Sequence, residues 1–196
     1  ILDASAPSRL GAAWSRFDPL PRVVIDHHEG DGGAGEIAWI DPTAASVTIM
    51  VAELLEAAGM TLDRDLALPL YVGMVTDTAS FQQTNTDERA MRWGGRCIAA
   101  GVAPFDVATR LFENRRLASV RLSGLALGRA TIEGDVCHAW LTLEDYRQLG
   151  ADDADTEGVI QALRIVGGVR AVVLLREQEG RQVKVTLRAK DATDVA

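Results

Sequence analysis

Val23-Val24-Ile25-Asp26-His27-His28 runs from three β-branched residues straight into an acid and two adjacent histidines. A short β-branched run closed by polar residues reads as a buried strand ending in a loop, which Glu29-Gly30-Asp31-Gly32-Gly33 continues. Working outward, Ile1-Leu2 reads as the end of a similar strand with Asp3 at its tip, and Ile37-Ala38-Trp39-Ile40 as another. Asp41-Pro42-Thr43 is a helix start signal, followed by Val47, Met50, Val51, Leu54 and Leu55 at helical spacing and a stop at Gly59. Leu62 to Val75 and Asp87 to Ala100 are further helix candidates, the first leading into Thr76-Asp77-Thr78. Strands alternating with helices predict an α/β domain with a mostly parallel sheet over residues 1–104.

The character changes after Pro104. Residues 105–127 read as a polar, mainly helical linker. Residues 128–196 then read as a smaller α+β domain. Ala130 to Leu141 is a hairpin around Glu133-Gly134-Asp135, and Thr142 caps a short helix that stops at Gly150. Asp155 to Ile165 is a further helix, and Val169–Glu177 with Arg181–Arg188 is a second hairpin.

Composition bounds the function. The 196 residues carry 20 Lys and Arg against 28 Asp and Glu, a formal charge of −8. That excludes a broad basic face for gripping long nucleic acid. It leaves room for a small phosphate substrate held by cations, which invert the local field. Cys97 and Cys137 fit neither a disulfide framework nor a zinc motif and read as buried thiols of a reducing compartment. The longest apolar stretch, near Leu66–Val75, is too short for a membrane span and contains Pro69. No leader pattern opens the chain, so the expected location is the cytoplasm, away from membranes.

Chemistry concentrates at strand ends. Asp26-His27-His28 holds two of the chain's three histidines beside an acid, at the kind of edge where α/β proteins place ligands. Imidazole with carboxylate suits Mn²⁺, Fe²⁺ or Zn²⁺, and a solvated turn is the competing reading. Asp77, bracketed by Thr76 and Thr78, suits either a ligand supported by its neighbours or a helix cap. Asp3 alone is an acid in a loop. His138 inside its hairpin, and the tryptophans, read as structural.

These residues together resemble the DHH phosphoesterase superfamily. The resemblance rests on Val24 to His28, then Gly73-Met74-Val75-Thr76-Asp77-Thr78-Ala79-Ser80-Phe81, and on Ile1-Leu2-Asp3 with Ser8-Arg9-Leu10. The second half is similar to the DHH-associated domain through Asp155 to Gly158, Gly167-Gly168-Val169 and Val183 to Lys190. The most similar subgroup is the bifunctional oligoribonucleases and 3′-phosphoadenosine 5′-phosphate phosphatases.

The resemblance implies a phosphohydrolase with two Mn²⁺ ions. It makes Asp3, His27 and Asp77 metal ligands, with Asp3 shared between the ions. It places His28 against the scissile phosphate, with Asp26 orienting the histidines, and gives Arg188 and, secondarily, Lys190 to substrate. The implied substrates are short RNA or DNA oligonucleotides, dinucleotides such as pApA, and nucleoside bisphosphates; a homodimer is carried as an expectation. Alternatives are a RecJ-type single-strand exonuclease, a cyclic-dinucleotide phosphodiesterase, or a non-catalytic nucleotide-binding module. Gln82 stands where many relatives carry Arg, which bears on substrate preference. The family's His-x-x-x-Asp-x-Asp motif would precede Ile1 and its glycine-rich His motif would follow Ala196, so the chain is expected to be a truncated window on the natural protein.

Overall fold

A computed structural model describes residues 1–30 and 33–190. Asp31 and Gly32 of the loop after the histidines, and positions 191–196 of the second domain, lie outside the described residues. The chain is α/β, with helices and sheets in two compact units, Ile1–Arg110 and Leu111–Ala196.

In the first unit, Val23–Asp26 (β1) pairs in parallel with Ile37–Ile40 (β2). Leu2 bridges Ile25 in parallel on the other side of β1, with Ile25 N–H donating to the Ile1 carbonyl and Asp3 N–H to that of Ile25. Ile1-Leu2-Asp3 is therefore laid alongside β1, as its apolar pair suggests. Between them the chain forms two short helices, Pro7–Leu10 (α1) and Trp14–Phe17 (α2).

Three helices carry the unit's core: Val47–Ala57 (α3), Arg64–Asp77 (α4) and Glu88–Ala99 (α5). Asp63 and Asp87 cap the last two, accepting from the N–H of Leu66 and Ala90. Ile49, Met74, Trp93 and Cys97 meet in the interior, while Ile25 of β1 packs with Val47 and Met50 of α3. Burial pushes the Cys97 thiol up to about 11, which keeps it inert. At Gly73 α4 lies close against α3, since a Cβ there would collide with Thr48 Cγ2. The start of α3 differs from its sequence signal. Asp41 instead closes a turn, accepting from both the N–H and the hydroxyl of Thr43, and Ser46 is the cap, accepting from Thr48 N–H.

The second unit begins within Pro104–Phe112 (α6) and continues into Leu117–Gly128 (α7). Leu122 and Ala126 of α7 are buried in that unit's core, so the helical segment read as linker contributes to packing. The sheet is Thr131–Glu133 (β3), Val136–Leu141 (β4), Ala171–Gln178 (β5) and Gln182–Ala189 (β6), in that order. Its outer pairs are antiparallel hairpins and its central pair, β4 with β5, is parallel, so this sheet is mixed. A parallel pair demands a crossover, supplied by Leu143–Leu149 (α8) and Val159–Leu163 (α9). Thr142 and Asp145 form a capping box on α8, and left-handed Gly150 ends it, as the sequence implies. The helix expected over 155–165 is broken instead, because Gly158 adopts φ 83 and separates a 3₁₀ turn at Asp153–Thr156 from α9. No helix among the described residues is long and apolar enough to cross a membrane.

Candidate metal centre

The loop after β1 gathers donors because the strand ends on alternating sides. Asp26, the last residue of β1, is fully buried, whereas His27 and His28 after it are partly exposed. Asp26 Oδ2 accepts from Ser5 N–H at 2.6 Å, and Oδ1 accepts from His28 N–H at 3.0 Å and from His28 Nδ1 at 2.8 Å. Burial alone would raise this carboxyl, but the hydrogen bonds from His28 and Ser5 outweigh it and hold Asp26 well below the usual carboxylate range. Asp26 is therefore ionised, and it fixes the His28 ring with Nδ1–H inward and Nε2 on the opposite edge.

His27 is held differently. Its Nδ1 lies 3.1 Å from the Ala44 carbonyl, which can only accept, so Nδ1–H is the donor there and Nε2 is the nitrogen turned towards the acids. Nε2 lies among carboxylates: Asp3 Oδ1 is 3.3 Å away and Asp77 Oδ2 is 3.9 Å away. An imidazole held by a carbonyl through one nitrogen, with the other facing acids, is the arrangement of metal-ligating histidines. One ligand atom each from Asp3, Asp26, His27 and His28 falls within 4.8 Å of the others. Nitrogen and carboxylate oxygen in such a set fit a divalent cation of the Mn²⁺, Fe²⁺ or Zn²⁺ kind.

Asp3 and Asp77 occupy distinct backbone settings. Asp3 has φ 63, the left-handed region that costs a non-glycine residue about 1 kcal/mol or more. Asp77 is the last residue of α4, where the helix dipole places partial negative charge against its carboxylate. The flanking threonines do not support it. Thr76 Oγ1 donates to the carbonyls of Val72 and Gly73, and Thr78 Oγ1 donates to Met74 and accepts from Phe81 N–H. The hydroxyls close the end of the helix, and Ala79, Ser80 and Phe81 then turn through three successive positive φ values.

The structure thus brings together Asp3, Asp26, His27, His28 and Asp77. Asp26 bonds only one of the two rings, and the acceptor that orients the other is a backbone carbonyl, which residue types alone do not reveal. Arg188 and Lys190 lie in the other unit, at the end of β6 and just beyond it. Arg188 is exposed, with Nη1 donating to the carbonyl of its neighbour Leu187 at 2.9 Å. Lys190 is committed to the Val166 carbonyl at 2.6 Å. His138 faces Thr131 Oγ1 and Glu133 across its hairpin.

No protein-family model matches the chain. It is 28% identical over 172 residues to a Bacillus subtilis protein named bifunctional oligoribonuclease and PAP phosphatase NrnA, covering 86% of this chain and 54% of that one. A Thermus thermophilus protein of the same name is 29% identical over 191 residues, 96% of this chain and 56% of that one. The chain therefore spans about half the length of the curated relatives it matches. An exopolyphosphatase-related protein from Bacteroides fragilis shares the fold, with a TM-score of 0.89 at 22% identity over 97% of this chain and 57% of its own. The resemblance carried by Asp26-His27-His28 and its companions is borne out: over most of its length the chain is similar to proteins named bifunctional oligoribonuclease and PAP phosphatase.

Proposed function

We propose that this chain is part of a divalent-cation-dependent phosphoesterase that cleaves short oligonucleotides and removes phosphate from nucleoside bisphosphates. The observation that carries this reading is the His27 ring, held through Nδ1 with Nε2 set between Asp3 and Asp77. Asp3, His27 and Asp77 would hold the cation, Mn²⁺ in the first instance. When bound, such cations stabilise charge on phosphoryl oxygens and make water a stronger nucleophile near neutral pH.

The chain's own groups supply the rest. Ionised Asp26 holds Nδ1–H of His28, leaving Nε2 to face a phosphoryl oxygen or to carry a proton to a departing one. Exposed Arg188 would clamp a terminal phosphate through its planar fork, with Lys190 a lesser contact after leaving Val166. A net charge of −8 favours substrates with few phosphates over long strands. The finer reading of the first unit keeps its parallel strands as the core of a mostly parallel sheet, and keeps the second unit as the substrate-binding domain.

The test is hydrolysis of end-labelled pApA with Mn²⁺ and with EDTA. Mn²⁺-dependent release of AMP is expected from the wild type, and none from Asp77→Ala. Full activity in Asp77→Ala overturns the ligand assignment. Preference for long single strands with a steep loss on added salt would move the reading to a processive exonuclease. Nucleotide binding unchanged by EDTA and without hydrolysis would move it to a binding module.

A further inference from the structure

Asn85 touches none of the donor atoms, yet its side chain spans the two walls that carry them. Its Nδ2 donates to the Ala45 carbonyl at 3.2 Å and to the Asp77 carbonyl at 3.1 Å. Both partners are acceptors only, so the NH₂ end of the amide must face them. One partner is the main chain of Asp77. The other directly follows Ala44, whose carbonyl holds Nδ1–H of His27. The far side of the same turn is fixed independently. Arg89 Nη1 meets Asp41 Oδ2 at 2.7 Å, Ala44 N–H donates to the Asp41 carbonyl, and Arg89 also forks onto Glu53 of α3.

We propose that Asn85 is a positioning residue of the cation site, a strap that sets the separation of His27 from Asp77 and keeps the Ala44 carbonyl where it accepts from His27 Nδ1–H. The inference rests on the reading of Asp3, His27 and Asp77 as cation ligands. Its consequence is specific. Hydrogen-bond partners of metal ligands typically change affinity by about 10- to 100-fold when removed, while touching no metal themselves.

Two variants test it. Asn85→Asp keeps the shape and replaces the donor by an acceptor facing two carbonyls. The added carboxylate would by charge alone strengthen cation binding, so a weakening cannot come from charge. Asn85→Ala removes the strap without adding charge and decides the matter where Asn85→Asp fails to fold. Mn²⁺ affinity is read by calorimetry, and the His27 Nδ1–H hydrogen bond by ¹⁵N chemical shifts of the metal-free protein. A Val107→Ala variant, in α6 and away from every site residue in the sequence, controls for general loosening of the core.

The expected result is Mn²⁺ affinity lowered about 10- to 100-fold in both Asn85 variants. The His27 Nδ1–H resonance should lose the shift of its hydrogen bond to the Ala44 carbonyl in the metal-free state, and Val107→Ala should leave both readouts unchanged. Affinity within twofold of wild type together with an unaltered His27 Nδ1–H resonance overturns the proposal. So does an equal loss of affinity in Val107→Ala at equal loss of melting temperature. A wild-type chain that binds no Mn²⁺ overturns the ligand reading, and the His27 Nδ1–H resonance of the two variants then still decides the strap.

Discussion

The acids around the two histidines and the buried acids of the second unit are finished in opposite ways, although Asp41 and Glu53 of the first unit also end on arginine. In the second unit the buried acids end on arginine: Asp145 receives both Arg129 nitrogens, at 2.5 and 2.8 Å, and Asp155 receives Arg116 at 2.8 Å. In the first unit, among the described residues, Asp3, Asp26 and Asp77 ion-pair with histidine alone. An arginine pair is closed, since the guanidinium is always charged and fills the acceptor sites of its partner. A carboxylate beside imidazole, which can serve as a neutral nitrogen ligand, is open to an added cation. The contrast separates acids that hold a fold from acids that prepare a site.

The largest expected effect follows from the open set. Asp77→Ala should reduce Mn²⁺-dependent pApA hydrolysis by about a thousandfold or more, roughly 4 kcal/mol of barrier. The melting temperature of the metal-free variant should hold or rise, because a carboxylate leaves a helix C-terminus. A fall in metal-free stability would place Asp77 with the structural acids and break the comparison.

Next comes the closed set. Arg129→Ala leaves Asp145 buried without its partner, and denaturant unfolding should show a loss of about 3 kcal/mol. A loss below about 1 kcal/mol would mean that the capping box alone satisfies this carboxylate.

The same pair predicts the acid limb of stability. The Arg129 guanidinium, with Thr142, outweighs burial and lowers the Asp145 carboxyl from 3.8 to about 2. Its contribution is therefore complete above pH 4 and is lost as pH falls from about 4 towards 2, amounting to about 2 kcal/mol. Unfolding midpoints between pH 5 and pH 2 should show that slope in the wild type and a flatter one in Arg129→Ala. The smallest effect belongs to an exposed pair: Glu88→Ala, which releases Arg92 at 3.3 Å on the surface of α5, should shift melting by less than about 2 °C.

Much of this was readable before any coordinates, where the signal was local. The β-branched run of β1, the Thr142 cap and the glycine turn at 134 act over a few residues, and each element formed where its residues asked for it. Competing local signals misled. Asp41-Pro42-Thr43 has the composition of a cap but spends its side chains on its own turn, so α3 waits for Ser46. The parallel pairing of β4 with β5 joins segments some thirty residues apart, and neither carries a mark of its neighbour. At the site, residue type disclosed the donors but not what orients them. The Ala44 carbonyl belongs to the backbone, and the threonines beside Asp77 have two uses that look alike in sequence.

One glycine has reach beyond its own position. Gly73 sits one turn before Asp77, packed against Thr48 so closely that even a methyl group collides. In an ordinary helix, alanine there would be an improvement of about 1 kcal/mol. Here any side chain acts as a shim between α3 and α4, and its thickness is transmitted along a stiff rod to the carboxylate at the tip. Position 73 therefore calibrates the site from a distance, and the missing methyl is part of its dimensions.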